Sequence, residues 1–395
     1  MSAEIICPGF KAAGVAAGIK KNGEKDLGLI VSETDASAAA VFTSNLIKAA
    51  PVILDEERIK KGRCRAVIVN SGNANCCTGV KGMEDAAGMA KITASALGIS
   101  EELVLTASTG VIGERFPVEK IKAAVPGITK ALTADGFADF ARSIMTTDTY
   151  PKIISEKGEL DGKPYNVTGI AKGSGMICPD MATMLAFVCT DAEIEPCMLK
   201  NILSAATERS FNRITIDGDT STNDTVIIMA NGSSGAVVKN DAQKDIFQNL
   251  LDDIMIRLAK MIVKDGEGAT KLVEIVVKGA SSDDDARIVA ETVANSSLVK
   301  TALFGEDANW GRIIAAAGMS KAPLIPDRID IFFDDVLMVE NSTGCGSGAE
   351  AKASAVLKKP EFIITLNLNL GAGCASVFTC DFSIDYVKIN ADYRT

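Results

Sequence analysis

The stretch KGSGMICPDMATMLAFVCTDA, residues 172–192, changes character at one position. Up to Ala182 it is glycine, proline and small side chains; from Met184 to Thr190 it is almost unbroken apolar sequence. A short apolar run bounded by turn signals predicts a strand buried on both faces. Thr183 stands between the two textures. Threonine is common in strands, so its hydroxyl decides nothing alone. Next to a flexible, small-residue loop it is nevertheless a candidate nucleophile.

The same alternation runs outward in both directions. CRAVIVN (64–70) reads as a strand, followed by a loop SGNANCCTG and a helix over 82–97. ELVLTASTGVIG (102–113) repeats the scheme, a strand and then a glycine-bearing turn. EPCMLKNILSAATERSF reads as a helix, as does the segment 245–264. Strands alternating with helices predict an α/β architecture. Near Gly266 the texture shifts. KLVEIVVKGA (271–280) is strand-like, and SSDDDARIVAETVANS is a helix whose first-turn acids suit the positive end of its dipole. A boundary near 270–280 is expected, dividing a core (1–275) from a smaller C-terminal α/β domain (276–395).

Composition removes whole classes of chemistry. The 395 residues are 47% hydrophobic and 23% charged, an ordinary globular balance. The net charge of −10 argues against a nucleic-acid partner. Ten cysteines lie mostly in apolar runs without a CxxC pair, which predicts reduced thiols and a cytoplasmic location. The opening MSAEIICPGFKAAGVAAGIKK has no basic leader before its apolar part, so no secretory signal is expected. No apolar run reaches 18 residues, so no membrane span is expected. There is no histidine. Ser-His-Asp and Cys-His machinery and the usual zinc-hydrolase ligand sets are therefore excluded. GAGCAS (371–376) lacks the third glycine of a dinucleotide loop, so no nicotinamide cofactor is expected.

An N-terminal threonine supplies its own base, since a free α-amine has a pKa of about 7.7–8.0 and sits beside its own hydroxyl. For Thr183 that requires a cut after Ala182. Attack of the Thr183 hydroxyl on the Ala182 carbonyl, an N-to-O acyl shift and hydrolysis of the ester would make it.

The motifs GFKAAGVAAGIK, NSGNANCCTG, STGVIGE, IMTTDTYPK, KGSGM…MATML, SFNRITIDGDTSTNDT, FGEDANWGRI and YVKINADYRT occur in one order along nearly the whole chain. Together they resemble the ornithine acetyltransferase (glutamate N-acetyltransferase) family of arginine biosynthesis. The resemblance implies a layered α/β/β/α sandwich with a smaller C-terminal α/β domain, and self-cleavage at Ala182–Thr183. It implies Thr183 as nucleophile and Thr109 and Gly110 as oxyanion donors. Substrate contacts would come from Thr146, Lys172, Thr183, Glu267, Asn390 and Thr395, with Lys172 drawing a carboxylate and Glu267 an ammonium. It implies N2-acetylornithine and glutamate as substrates, no cofactor or metal, and an α2β2 assembly of cleaved chains. Whether acetyl-CoA is a second donor stays open. So do two other readings: an amidase on the same scaffold, and an uncut binding protein in which Thr183 is structural. Three residues depart from the family pattern: Asp180 for Asn, Cys76 for a small residue, and Phe378 for Trp. NSGNAN (70–75) and DGDTSTND (217–224) fit hydrogen-bonded turns as well as a site.

Overall fold

The computed structural model describes residues 6–178 and 184–392. The chain enters through β1 (Phe10–Val15) and the long β2 (Leu27–Phe42), then α1 (Ala50–Arg58), β3 (Arg63–Asn73), α2 (Gly79–Leu97) and β4 (Val104–Val111). Helices α3 (Val118–Lys130) and α4 (Phe137–Ser143) precede a hairpin of β5 (Lys152–Leu160) and β6 (Lys163–Lys172). Next come β7 (Leu185–Thr190), β8 (Glu193–Ile194), α5 (Pro196–Arg209), β9 (Ile214–Thr215), β10 (Thr225–Ala230), β11 (Val237–Val238) and α6 (Asp241–Lys264). The remainder is β12 (Leu272–Ala280), α7 (Asp283–Ala294), α8 (Ser297–Phe304), α9 (Trp310–Met319), β13 (Asp330–Phe333), β14 (Val336–Glu340) and β15 (Thr343–Gly344). It closes with α10 (Ser347–Leu357), β16 (Glu361–Asn367), β17 (Gly373–Cys380) and α11 (Ile384–Asp392).

The larger sheet runs β4-β3-β2-β10-β7-β6-β5, with β1 paired to β2. Side-chain alternation shows how it is layered, because successive residues of a strand point to opposite faces. Val67 and Val69 of β3 share one core with Phe187 of β7 and with Ile227 and Met229 of β10. The intervening Ala66 and Ile68 pack instead with Met89 and Ala90 of α2 and Ile121 and Val125 of α3. On the far side, Ala186, Val188, Val226 and Ile228 pack with Leu199 and Leu203 of α5 and Leu251 and Leu258 of α6. One sheet thus doubles over on itself, giving helix, sheet, sheet and helix layers. Strand β2 belongs to both halves, and its pairing with β3 slips between Val31 and Ala36. An irregularity of that kind bends a strand, which lets one sheet supply two layers. The expected α/β/β/α arrangement is present. It also accounts for the apolar run 185–190: β7 is covered on both faces.

The second sheet runs β15-β14-β13-β16-β12-β17-β9. Strand β12 opens it, and helices α7, α9 and α10 cover its principal core. Ser282 caps α7, its Oγ accepting the Asp285 N–H at 3.1 Å, ahead of the acidic first turn. The two-residue β9 comes from the first part of the chain and pairs with Phe378 and Thr379 of β17. Phe378 lies under the Lys260 ammonium, 4.7 Å from the ring centroid.

Two local expectations need correction. SGN (71–73) is not loop, because β3 continues through Asn73 against β4, with Ser71 opposite Thr109 and Gly72 opposite Gly110. For the same reason Thr109 and Gly110 lie in the last residues of a strand rather than in a turn after it. A parallel partner that keeps extending satisfies the backbone groups a turn would leave free.

Candidate active site

The ends of β3, β4 and β6 surround a cavity of about 190 Å³. Its wall includes Thr109, Gly110, Thr146, Lys172, Glu267 and Asn390, six of the residues singled out in the sequence. Ala182, Thr183 and Thr395 lie outside the described residues, as does Asp180. Met184, directly after Thr183, is described; its N–H donates to Asp224 Oδ1 at 2.9 Å.

Gly110 sits where two strand ends nearly touch. Its φ is +130°, and a Cβ there would meet the Gly72 carbonyl carbon at 2.4 Å. No side chain fits, so glycine is required at this rim of the cavity.

Lys172 ends β6 only 3% exposed. Its Nζ donates to Thr146 Oγ1 at 2.9 Å and to Thr109 Oγ1 at 3.3 Å, and lies 3.9 Å from Asp148 Oδ2. The residue beside a glycine is therefore no solvated loop charge. Behind it Lys152 Nζ bridges Asp148 Oδ1 at 2.7 Å and Asp265 Oδ2 at 2.6 Å. Asp148 Oδ1 also accepts the Gly173 N–H at 2.7 Å. Burial alone would raise the Asp148 carboxyl, but Lys172 and Lys152 outweigh it and hold the group down at about 2. Burial lowers Lys172 from its ordinary value, and the Asp148 charge works against that. Buried charges persist only when paired and hydrogen-bonded, and this chain of alternating charges meets that condition.

The opposite wall joins three distant segments. Glu267 is 8% exposed, and its N–H donates to Ser174 O at 2.8 Å. Asn390 of α11 donates through Nδ2 to Glu267 Oε2 at 2.8 Å. Gly268 permits this approach, since a Cβ there would lie 2.5 Å from the Tyr386 nitrogen. The C-terminal helix is thereby held at the cavity, not frayed away from it. Tyr386 also reaches Asp217, whose two oxygens accept the Met176 and Ile177 N–H groups at 2.6 and 2.7 Å.

Several residues here escaped the sequence reading. Asp148, Lys152 and Asp265 carry the charge behind Lys172; Asp148 lies two residues after Thr146 and Asp265 two before Glu267, while Lys152 had no such near neighbour. Asp217, Asp219, Ser221, Thr222 and Asn223 line the cavity, so DGDTSTND belongs to the site and is not merely a turn. From NSGNAN, Ala74 reaches the wall. Cys76 is buried behind it with its Sγ 3.8 Å from that of Cys77.

The doubled sheet and this polar cavity define a layered α/β enzyme with a small-molecule site. A model of the ArgJ family matches residues 11–395, and the chain belongs to that family. It is 54% identical over 389 residues to the arginine biosynthesis bifunctional protein ArgJ of Geobacter sulfurreducens, covering 98% of this chain and 99% of that one. The ArgJ protein of Syntrophotalea carbinolica is 51% identical over the same length, again covering 98% and 99%. Among solved structures, ArgJ from Bacillus halodurans is 43% identical with a TM-score of 0.51, covering 52% of this chain and 98% of its own. No helix among the described residues is long and apolar enough to cross a membrane.

Proposed function

We infer that this chain is an arginine-biosynthesis acetyltransferase that moves the acetyl group of N2-acetylornithine to glutamate through an acetyl-Thr183 ester. The chain first cuts itself between Ala182 and Thr183. The Thr183 hydroxyl then attacks the acetyl carbonyl while its own α-amine takes the proton. Thr109 and Gly110 carry the oxyanion, where one well-placed donor is worth about 2.7–4 kcal/mol of barrier. The amide bond breaks, ornithine leaves with the proton, and the glutamate amine attacks the ester to give N-acetylglutamate and free Thr183. Lys172 and Thr146 receive a substrate carboxylate, and Glu267, oriented by Asn390, receives the ornithine side-chain ammonium. Thr395 adds a contact from the tail.

The observation that carries this reading is convergence. Thr109, Gly110, Thr146, Lys172, Glu267 and Asn390 come from five separate segments and line one cavity, in a chain of the ArgJ family. Cleavage draws support from the Bacillus halodurans chain, 98% of which is covered by only 52% of this one, as for one fragment of a precursor. The word bifunctional in the relatives' names supports acetyl-CoA as a second donor to glutamate. An α2β2 assembly of the cleaved chains completes the proposal.

The test is the intact mass of the denatured protein, paired with an acetyl-transfer assay. Two chains split at Ala182–Thr183, with acetylglutamate formed from acetylornithine and glutamate, are expected. Thr183→Ala should remain one uncut, inactive chain. A single uncut chain with full transfer activity sinks the N-terminal-threonine mechanism, and acetate release that ignores glutamate points to a hydrolase.

A further inference from the structure

Two adjacent residues outside the roles assigned above reach both halves of the acyl-transfer machinery. Asn223 is 5% exposed and lines the cavity. Its Nδ2 donates to Ser108 O at 2.8 Å and to Ala74 O at 2.7 Å. The Ser108 carbonyl shares a peptide plane with the Thr109 N–H. Because that plane is rigid, holding the oxygen aims the nitrogen. Asp224 is fully buried, and its Oδ1 accepts the Met184 N–H at 2.9 Å. Met184 follows Thr183 directly in the chain, so this contact anchors the residue next to the nucleophile. The neighbouring Thr225 N–H holds the other side of the same residue, donating to Met184 O at 3.1 Å.

We propose that Asn223 and Asp224 are paired positioning residues, Asn223 aiming the Thr109 N–H and Asp224 anchoring Met184, the residue that follows the nucleophile, so that one dipeptide keeps nucleophile and oxyanion site in register. The inference rests on the acetyl-Thr183 reading of the site and adds to it what aligns the parts. The dipeptide is itself anchored: Asp224 O accepts the Thr43 N–H at 3.0 Å, and Asn223 Oδ1 accepts the Thr222 hydroxyl at 2.6 Å. Neither side chain needs to touch substrate for the effect to be large, since a displacement of about 1 Å from reacting geometry costs on the order of 100-fold in rate.

Asp224 offers a sharp internal control. Its Oδ2 has no hydrogen-bond partner among the described residues, which is costly for a buried carboxylate. Burial pushes the carboxyl well above the usual carboxylate range, against the pull of the Met184 N–H and of Lys172. A carboxyl that accepts through one oxygen is closely matched by an asparagine, whose amide oxygen can take the same Met184 N–H. Asp224→Asn should therefore keep the alignment, and Asp224→Ala should lose it.

The experiment follows self-cleavage and acetyl transfer in the full-length wild type, Asp224→Asn, Asp224→Ala and Asn223→Ala, with the Thr183→Ala chain as the folded, uncut reference. Cleavage and kcat in Asp224→Asn are expected within about tenfold of wild type. Asp224→Ala is expected to cleave at least ~100-fold more slowly, and whatever cleaved Asn223→Ala forms should lose kcat with KM little changed. Wild-type behaviour in both alanine variants overturns the proposal, and so does an Asp224→Asn chain that melts like the reference yet never cleaves. If Asp224→Ala does not fold, the asparagine variant decides by itself. If the wild type neither cleaves nor transfers acetyl, it is the functional reading that fails, not the alignment built on it.

Discussion

Lys172 and Lys300 are both almost completely buried, and they do different things. Lys172, at the end of β6, is 3% exposed; Lys300, in α8, is 1% exposed. Burial lowers both from the ordinary lysine value. Around Lys172 the partners are the Thr146 and Thr109 hydroxyls and a carboxylate, Asp148, itself backed by Lys152 and Asp265. Around Lys300 they are Thr379 Oγ1 at 2.8 Å, the Cys380 carbonyl and the face of Phe382, 4.6 Å from the ring centroid. No carboxylate pairs directly with Lys300 among the described residues. One ammonium faces a cavity; the other is sealed against β17, where the chain turns toward α11. Burial alone therefore does not mark a working charge. An opening in front of the group and a carboxylate relay behind it do.

That contrast can be broken by substitution. The largest effect is expected for Lys172→Met, which removes the cation facing the cavity and leaves Asp148 with one lysine instead of two. Truncating one member of a buried charged pair costs about 2–5 kcal/mol. The KM for both amino-acid substrates should rise on the order of 100-fold, measured by steady-state kinetics of acetyl transfer. A Lys172→Met enzyme with unchanged KM would place Lys172 on the structural side with Lys300.

Acid should come next. The Asp148 carboxyl is held at about 2, below the ordinary Asp value of about 3.9. A depressed carboxyl stabilises the fold above its unfolded pKa and loses that stabilisation as pH falls through its folded one. The wild type should lose roughly 2 kcal/mol between about pH 4 and pH 2 from this group. In Asp148→Asn, denaturant titrations should lack that step and show lower stability at neutral pH.

Lys300→Met is expected to be milder. It forfeits hydrogen bonds to Thr379 and the Cys380 carbonyl, at about 1–3 kcal/mol of stability, while kcat/KM falls far less than in Lys172→Met. Thermal melting and kinetics on one preparation separate the two quantities. If catalysis falls as steeply as for Lys172→Met, the sealed lysine is coupled to the site through α11.

The smallest effect sharpens the Lys172 side alone. Because burial lowers its ammonium, the charged form should disappear at a pH below the ordinary lysine value of about 10.4. The wild-type KM should therefore climb as alkaline pH is approached, whereas Lys172→Arg, if it binds substrate at all, should show a flatter profile because guanidinium stays charged.

Much of the architecture was legible in the chain. The run 64–70 and the helical segments near 82–97 and 245–264 lie within observed elements, and the run 184–190 becomes β7 from Leu185 onward. Strand ends were less legible: Asn73 and Val111 close a parallel pair whose partners are about 40 residues apart, and local turn chemistry cannot register that. The site divided in the same way. Lys172 and Glu267 resemble ordinary loop charges until the fold buries them. DGDTSTND reads as a turn until Asn223 is seen to grip the carbonyls of Ala74 and Ser108.

What the sequence alone determined is the chemistry on offer: no histidine, a threonine where a loop meets a doubly buried strand, and the alternation that makes an α/β layer structure. Those properties are local, written in residue type and period. What only the tertiary structure decided is which charges work. Asp148, Lys152, Lys172 and Asp265 are separated by up to 117 positions in the chain, and they become one relay because the doubled sheet brings β5 and β6 against the end of α6. The shifts of Asp148 and Lys172 follow from burial and mutual distance, and neither quantity exists until the chain has folded.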